Sequence, residues 1–361
     1  MSNSNEHFQF TDERFADLQM LRYRLNGFED LTLSQQIYIY CLAKATLMGR
    51  DITFDQQGKY NLRIRKTLEA IYKHYDGDRT SDDFKALEVY LKRVWFSSGI
   101  YHHYGCEKFK PGFSEHFFYE AVSLMPETEL PLRRGETKED LLDELVPVIF
   151  DEEVLPKRVN QTDGVDLVAT SACNFYEDVT QDEVERFYAR LKDGEDLTPP
   201  SYGLNSKLMK RNGEIVEKTW KEEGMYGSAI KEIISWLLKA QKYTENEQQA
   251  HVIDLLIKYY RTGDLSDFDR YSIAWVKQQE GMVDFINGFI EVYGDPLGLK
   301  GTWEGLVEFK DMEATRRTQA ISQNAQWFED HSPVAPQFKK AEVKGVTAHV
   351  ICAAMLGGDE Y

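Results

Sequence analysis

The sequence predicts an α+β fold in which helices dominate and strands form a small part. Three observations carry that prediction. Apolar residues recur at spacings of three and four along most of the 361 residues. Two stretches, 203–220 and 282–308, change to strand-like, β-rich composition. Hydrophobic residues make up 42% of the chain and aromatic residues 13%, enough apolar mass for a packed body and too much for disorder. The length is large for a single core, so more than one lobe is expected.

Taken in order, Phe15, Leu18, Leu21 and Leu25 recur at helical spacing and predict a first helix. A second runs over about 34–48, with Gly49 as its stop. Further helices are expected near 60–75 and 81–97. A glycine- and aromatic-rich loop follows at 98–105, then helices near 114–124 and 137–146. Thr137 with Asp140, and Thr180 with Glu183, have the spacing of capping boxes, the latter opening a helix to about residue 191. Asn212-Gly213 stands between two runs of β-type residues, and both residues tolerate positive φ, so residues 207–218 read as a hairpin. Helices are expected near 226–242, 245–261 and 266–280. Residues 285–293 read as a strand that breaks at Gly294-Asp295-Pro296, and residues 303–308 could return beside it. A helix near 311–328 and an apolar end over 343–356 complete the chain, with no internal repeat.

The formal charge of −18 repels phosphate backbones, so nucleic acid is not an expected partner; it suits cationic ligands such as peptides with a free amino terminus. The cysteines Cys41, Cys106, Cys173 and Cys352 are scattered without a C-x-x-C pair, which argues against a disulfide framework or a cysteine zinc site. No apolar run reaches membrane-spanning length, so no membrane partner is expected. The first residues lack a basic and apolar leader, which reads as cytoplasmic, a removed leader and a periplasmic location being the other reading.

Among chemistry-bearing residues, His102 and His103 are adjacent, no H-E-x-x-H occurs, and no two histidines sit three or four apart. The ordinary reading of this pair is polar loop residues. The loop can still meet a ligand, with Tyr101 and Tyr104 as flat contact surfaces, or it can be a packed connector. Glu291 and Tyr293 lie two apart, so on a strand they share a face. A carboxylate and a phenol there could bind an ammonium group and donate to an oxyanion, or simply form a solvated face. Glu304 joins them only if its strand lies alongside. No two acids stand out as a glycosidase pair. No phosphate-binding glycine loop or G-x-S-x-G elbow appears.

The segment Gly288-Phe289-Ile290-Glu291-Val292-Tyr293-Gly294-Asp295-Pro296 resembles the G-F-I-E-x-Y-x-D-P segment of the dipeptidyl peptidase III family. The loop from Ile100 through Phe109, followed by Pro111, is similar to that family's substrate-cleft loop. Tyr60-Asn61-Leu62-Arg63-Ile64-Arg65 and Asn324-Ala325-Gln326-Trp327-Phe328-Glu329-Asp330 resemble its bacterial branch, particularly that of Bacteroides. The likeness runs along nearly the whole chain. The family's zinc-holding motifs, H-E-x-x-x-H and E-E-x-R-A-[DE], are absent, and so is its G-I-N-x-P-N strand.

The resemblance implies the amino-terminal part of a two-lobed zinc metallopeptidase that removes dipeptides from the amino ends of short peptides. Residues 1–311 would form most of a substrate-binding lobe of mixed helices and strands with a small β-barrel-like core. Residues 312–361 would begin a helical zinc-binding lobe, left incomplete. By position, Tyr293 matches the tyrosine that hydrogen-bonds the scissile carbonyl as it becomes an oxyanion. Glu291 matches the acid on the substrate amine, and Glu304 a second acid near it. His103, Tyr104 and Gly105 fall on the cleft loop. Zinc belongs to the longer enzyme; this chain is expected to hold none, to be inactive alone and to be a monomer. The other reading is a catalytically inactive helical module that binds peptides or proteins.

Overall fold

The computed structural model describes residues 8–192, 194–343 and 349–358. Where apolar spacing predicts a first helix, the chain forms a hairpin of β1 (Thr11–Phe15) and β2 (Leu18–Leu21). Ala16 turns the chain at φ 49°, and Met20 and Leu21 stay exposed. Phe15 is buried but Leu21 is not, so the three-and-four spacing gives no continuous buried stripe and does not hold a helix.

From there the helical expectations hold closely through α1 (Leu33–Met48), α3 (Asn61–His74), α4 (Asp82–Phe96), α5 (Glu115–Leu124), α6 (Lys138–Phe150) and α7 (Gln181–Ala189). They hold again through α8 (Gly227–Ala240), α9 (Glu247–Thr262) and α10 (Leu265–Lys277). Both capping boxes form: the Thr137 hydroxyl accepts from the Asp140 N–H, and the Thr180 hydroxyl from the Glu183 N–H. Gly49 ends α1, but the chain restarts at once as α2 (Arg50–Gln56), which the sequence pattern does not signal. Its reason is steric. A β-carbon at Gly49 would lie 2.3 Å from the Trp303 ring, so the corner between α1 and α2 closes directly onto that indole.

The hairpin at Asn212-Gly213 is present, with φ 52° and 84° at its two turn residues. It joins β4 (Ser206–Arg211) to β5 (Glu214–Thr219), and the short β3 (Tyr176–Glu177) pairs parallel to β4. The second strand pair also forms: β6 (Val283–Glu291) runs antiparallel to β7 (Thr302–Lys310). The expected helix near 311–328 breaks at Asn324 into α11 (Met312–Gln323) and α12 (Ala325–His331). Part of the apolar end becomes β8 (Ile351–Gly357), which pairs with β7. Residues 344–348 of that end lie outside the described residues.

The fold is therefore a mixed helix-and-sheet body, as predicted. Among the described residues the strands form three open sheets of two, three and three strands, none of which closes into a barrel. A barrel-like core is thus not seen here: three strands are too few to curl round and pair first with last. One apolar core lies between α1, α8, α9 and the inner face of β6-β7-β8, including Phe285, Phe289, Trp303, Val307 and Phe309. A second is built by α3 to α6, and a small third lies between α7 and the β3-β4-β5 sheet.

On the outer face of β6-β7, Asp284 sits directly across from Glu308. Burial first, and then the Asp284 charge, push the Glu308 carboxyl up to about 7. Burial also raises Asp284, against donations from the Phe285 N–H and the Trp275 indole and the nearby charges of Lys310 and His349. A carboxyl raised on folding binds more protons in the folded state, so this pair costs stability as pH rises from the ordinary carboxylate range through about 7. Glu308→Gln should stabilise the chain at pH 8, by on the order of 1 kcal/mol after solvent screening, and leave it unchanged near pH 4. Denaturant unfolding at the two pH values measures this. An equal effect at both would show that the pair does not titrate in this way.

Candidate functional site

The candidate residues Glu291, Tyr293 and Glu304 all lie where β6 and β7 end and begin. Phe289 pairs with Trp303 and Gly288 with Glu304, and then the register shifts so that Glu291 pairs with Thr302. Directly opposed residues share a face, and Thr302 and Glu304 lie two apart on β7. The irregularity at Ile290 therefore flips Glu291 onto the Glu304 face. The two acids that the sequence could not bring together share one face of the sheet.

Tyr293 is placed differently from the sequence argument. β6 stops at Glu291, so the rule that residues two apart share a strand face does not reach Tyr293. It lies in the first turn after the strand, 59% exposed, with the Asp295 N–H closing that turn by donating to the Val292 carbonyl at 3.1 Å. Glu304 is buried. A β-carbon at Gly358, just past β8, would meet the Glu304 Cα at 2.8 Å, so the end of β8 packs directly over it.

The segment joining the strands is tightly built. Asp295, Pro296 and Gly298 form a turn in which the Gly298 N–H donates to the Asp295 carbonyl at 3.0 Å and Gly298 takes φ 65°. The buried Asp295 carboxylate accepts from the N–H groups of Leu297 at 3.2 Å, Leu299 at 2.8 Å and Lys300 at 2.9 Å, and from the Tyr176 hydroxyl at 2.8 Å. Burial pushes this carboxyl up, and those donations oppose the rise. Lys300 is fully buried; its ammonium donates to the Tyr188 hydroxyl and, at 3.1 Å, to Ser206 Oγ, with Glu217 at 4.0 Å. Burial lowers its pKa to about 8. Gly301 is required by close approach: a β-carbon would lie 2.8 Å from the Phe289 carbonyl carbon. The buried Gln56 of α2 holds the start of β7 by donating to the Gly301 carbonyl at 3.1 Å and accepting from the Trp303 N–H at 2.8 Å.

The loop with His103, Tyr104 and Gly105 is closed by a bridge between Tyr101 and Lys108 and by the His102 N–H donating to the Glu107 carbonyl at 2.8 Å. His102 Nδ1 accepts from the N–H groups of Tyr104 at 3.2 Å and Gly105 at 3.0 Å, which assigns the ring proton to Nε2. The His103 ring stacks on His102 and meets Phe96 edge-on. Burial, then the His102 and Arg158 charges, hold its pKa below the usual range. Tyr104 is 79% exposed. Tyr101, expected as a contact surface, is instead buried and donates to the Leu155 carbonyl at 3.1 Å, because its ring packs into the α3–α6 core.

The two loops are connected through one buried segment. The Arg158 guanidinium donates to the His103 carbonyl at 3.0 Å, and the Arg158 carbonyl accepts from the Cys173 N–H at 3.1 Å. The next residue, Asn174, donates its N–H to the carbonyl of Gln56, the residue that holds β7. Sequence reasoning missed Gln56, Tyr176, Asp295 and Lys300. Only Asp295 left a signal, as the first residue of an Asp-Pro-x-Gly turn. Among the described residues no group of three His, Cys, Asp or Glu side chains could hold a metal ion, so the residues present do not fit a zinc site.

Residues 202–345 match the family described as Peptidase family M49. The dipeptidyl peptidase 3 of Dictyostelium discoideum is 21% identical over 345 residues, which cover 88% of this chain and 48% of that protein. The Homo sapiens dipeptidyl peptidase 3 is 22% identical over 347 residues, covering 87% and 47%. The solved structure of DPP III from Caldithrix abyssi superposes with a TM-score of 0.63 at 17% identity, over 93% of this chain and 51% of that one. DPP III from Corallococcus sp. strain EGB gives 0.59 at 15% identity. The structural likeness shows a shared fold, and the chain spans about half the length of the relatives it matches.

Proposed function

The chain belongs to the dipeptidyl peptidase III family, and we propose that it forms the peptide-holding part of a zinc-dependent enzyme that releases dipeptides from the free amino ends of short peptides. The observation that carries this reading is the register of β6 and β7, which puts Glu291 and Glu304 on one face beside the turn that bears Tyr293. Two carboxylates there bind a substrate ammonium by charge-assisted hydrogen bonds. A phenol a turn away donates to the carbonyl oxygen that becomes negative in the transition state. Holding the amine at a fixed distance from the reacting carbonyl sets where the peptide is cut. His103, Tyr104 and Gly105 line the cleft in this reading. The sheet of β6 to β8 contributes to a barrel-like core in the longer protein, with residues 1–311 as most of the substrate lobe and 312–361 as the start of the other, apart from β8, which returns to pair with β7.

Zinc in the longer enzyme would supply an activated water and polarise the carbonyl. The described residues form no set that would hold it, and their part is to bind and orient the peptide. The enzyme in this reading is a cytoplasmic monomer.

Glu291→Gln tests the assignment in the longer protein that joins this chain to a zinc-holding part. The substrate amine is charged in ground and transition states alike, so losing its partner should raise KM about tenfold or more while kcat changes little. Discrimination against an amino-terminally acetylated substrate should relax. Steady-state kinetics on a chromogenic dipeptide substrate reads both, and an unchanged KM with full selectivity would remove Glu291 from the site.

A further inference from the structure

Resting on that reading, the geometry points to Asp295 as a positioning residue that fixes Tyr293 relative to the sheet, with the Tyr176 hydroxyl as its outer tether. Glu291 and Tyr293 are held by different devices. The Glu291 backbone is paired to Thr302, and its carbonyl accepts from the Thr302 hydroxyl at 2.9 Å, so it belongs to the sheet. Tyr293 lies outside the sheet, in a turn whose closing N–H belongs to Asp295.

The Asp295 backbone closes this turn, and the Asp295 side chain ties it to the loop that follows. Its Oδ2 accepts from Leu299, Lys300 and Tyr176, and its Oδ1 from Leu297, so one carboxylate gathers three N–H groups of the following loop and a hydroxyl from β3. Lys300, at the end of that loop, is anchored in turn to Tyr188 and Ser206. The turn is thereby fastened to the α7 and β3-β4-β5 layer, whereas Glu291 is held by its pairing with Thr302 in the β6-β7 sheet. Loosening Asp295 should move the phenol and leave the amine-binding carboxylate in place. A mispositioned oxyanion donor costs rate and leaves ground-state affinity, because its hydrogen bond strengthens only as charge develops.

The test compares Asp295→Asn, Tyr176→Phe, Tyr293→Phe and the double variant Tyr293→Phe/Asp295→Asn in the longer enzyme, using steady-state kinetics on a chromogenic dipeptide substrate. Asp295→Asn should lower kcat about ten- to a hundredfold, on the scale set by misplacement of about 1 Å, with KM within about twofold. Tyr176→Phe removes one hydroxyl from a four-donor cluster and should lower kcat in the same direction by about three- to tenfold. The double variant should be no slower than Tyr293→Phe alone, because both changes act through one phenol. If Asp295→Asn does not fold, Tyr176→Phe decides. If Tyr293→Phe slows the enzyme while Tyr176→Phe and a folded Asp295→Asn keep full kcat, or if losses multiply in the double variant, the positioning role is wrong and the functional reading stands. If Tyr293→Phe itself keeps normal turnover, it is the functional reading that fails.

Discussion

In the longer enzyme, Tyr293→Phe should lower kcat on a chromogenic dipeptide substrate about a hundred- to a thousandfold and leave KM nearly unchanged. Losing one oxyanion donor costs about 2.7–4 kcal/mol in other hydrolases. Tyr293 is exposed in the turn after β6, so removing its hydroxyl opens no core cavity and the loss should fall on the transition state. Unfolding measured beside the kinetics separates the two effects. Near-normal turnover in Tyr293→Phe would mean that the phenol has no catalytic part.

The largest expected effect on stability is at Trp303. Its indole is fully buried, faces Phe289 across the strands, and fills the space that Gly49 leaves at the corner of α1 and α2. Its backbone N–H donates to Gln56 Oε1, so β7 and α2 meet there through packing and hydrogen bonding together. Trp303→Ala should cost about 3–5 kcal/mol through lost burial and the cavity left between helix and sheet. Denaturant unfolding of this chain measures it. A loss below about 1 kcal/mol would show that the corner collapses around the gap and does not depend on the ring.

Much of this architecture is written in local chemistry. The capping boxes at Thr137 and Thr180 and the Asn212-Gly213 turn are short-range signals, and each appears where its residues place it. What failed depended on distant partners. Phe15, Leu18 and Leu21 have helical spacing, but only Phe15 is buried, while Leu18 is half-buried and Leu21 exposed. α2 follows a residue that reads as a stop, and only Trp303, more than 250 positions away, explains why the chain turns there without leaving helix. The site divides the same way. Glu291 and Glu304 are visible as residue types, yet their common face rests on one irregularity at Ile290 that no local pattern encodes. Lys300 and Tyr176 look like ordinary loop and strand residues until the fold buries the first and aims the hydroxyl of the second at Asp295.

The most direct test of the proposed role is product identification by mass spectrometry, using the longer protein and one short peptide supplied with a free or an acetylated amino terminus. The register that puts Glu291 and Glu304 on one face beside Tyr293 predicts successive dipeptides from the free peptide and almost no cleavage of the acetylated one. Release of single residues, or equal cleavage of both peptides, would contradict an amine-anchored site built on this sheet.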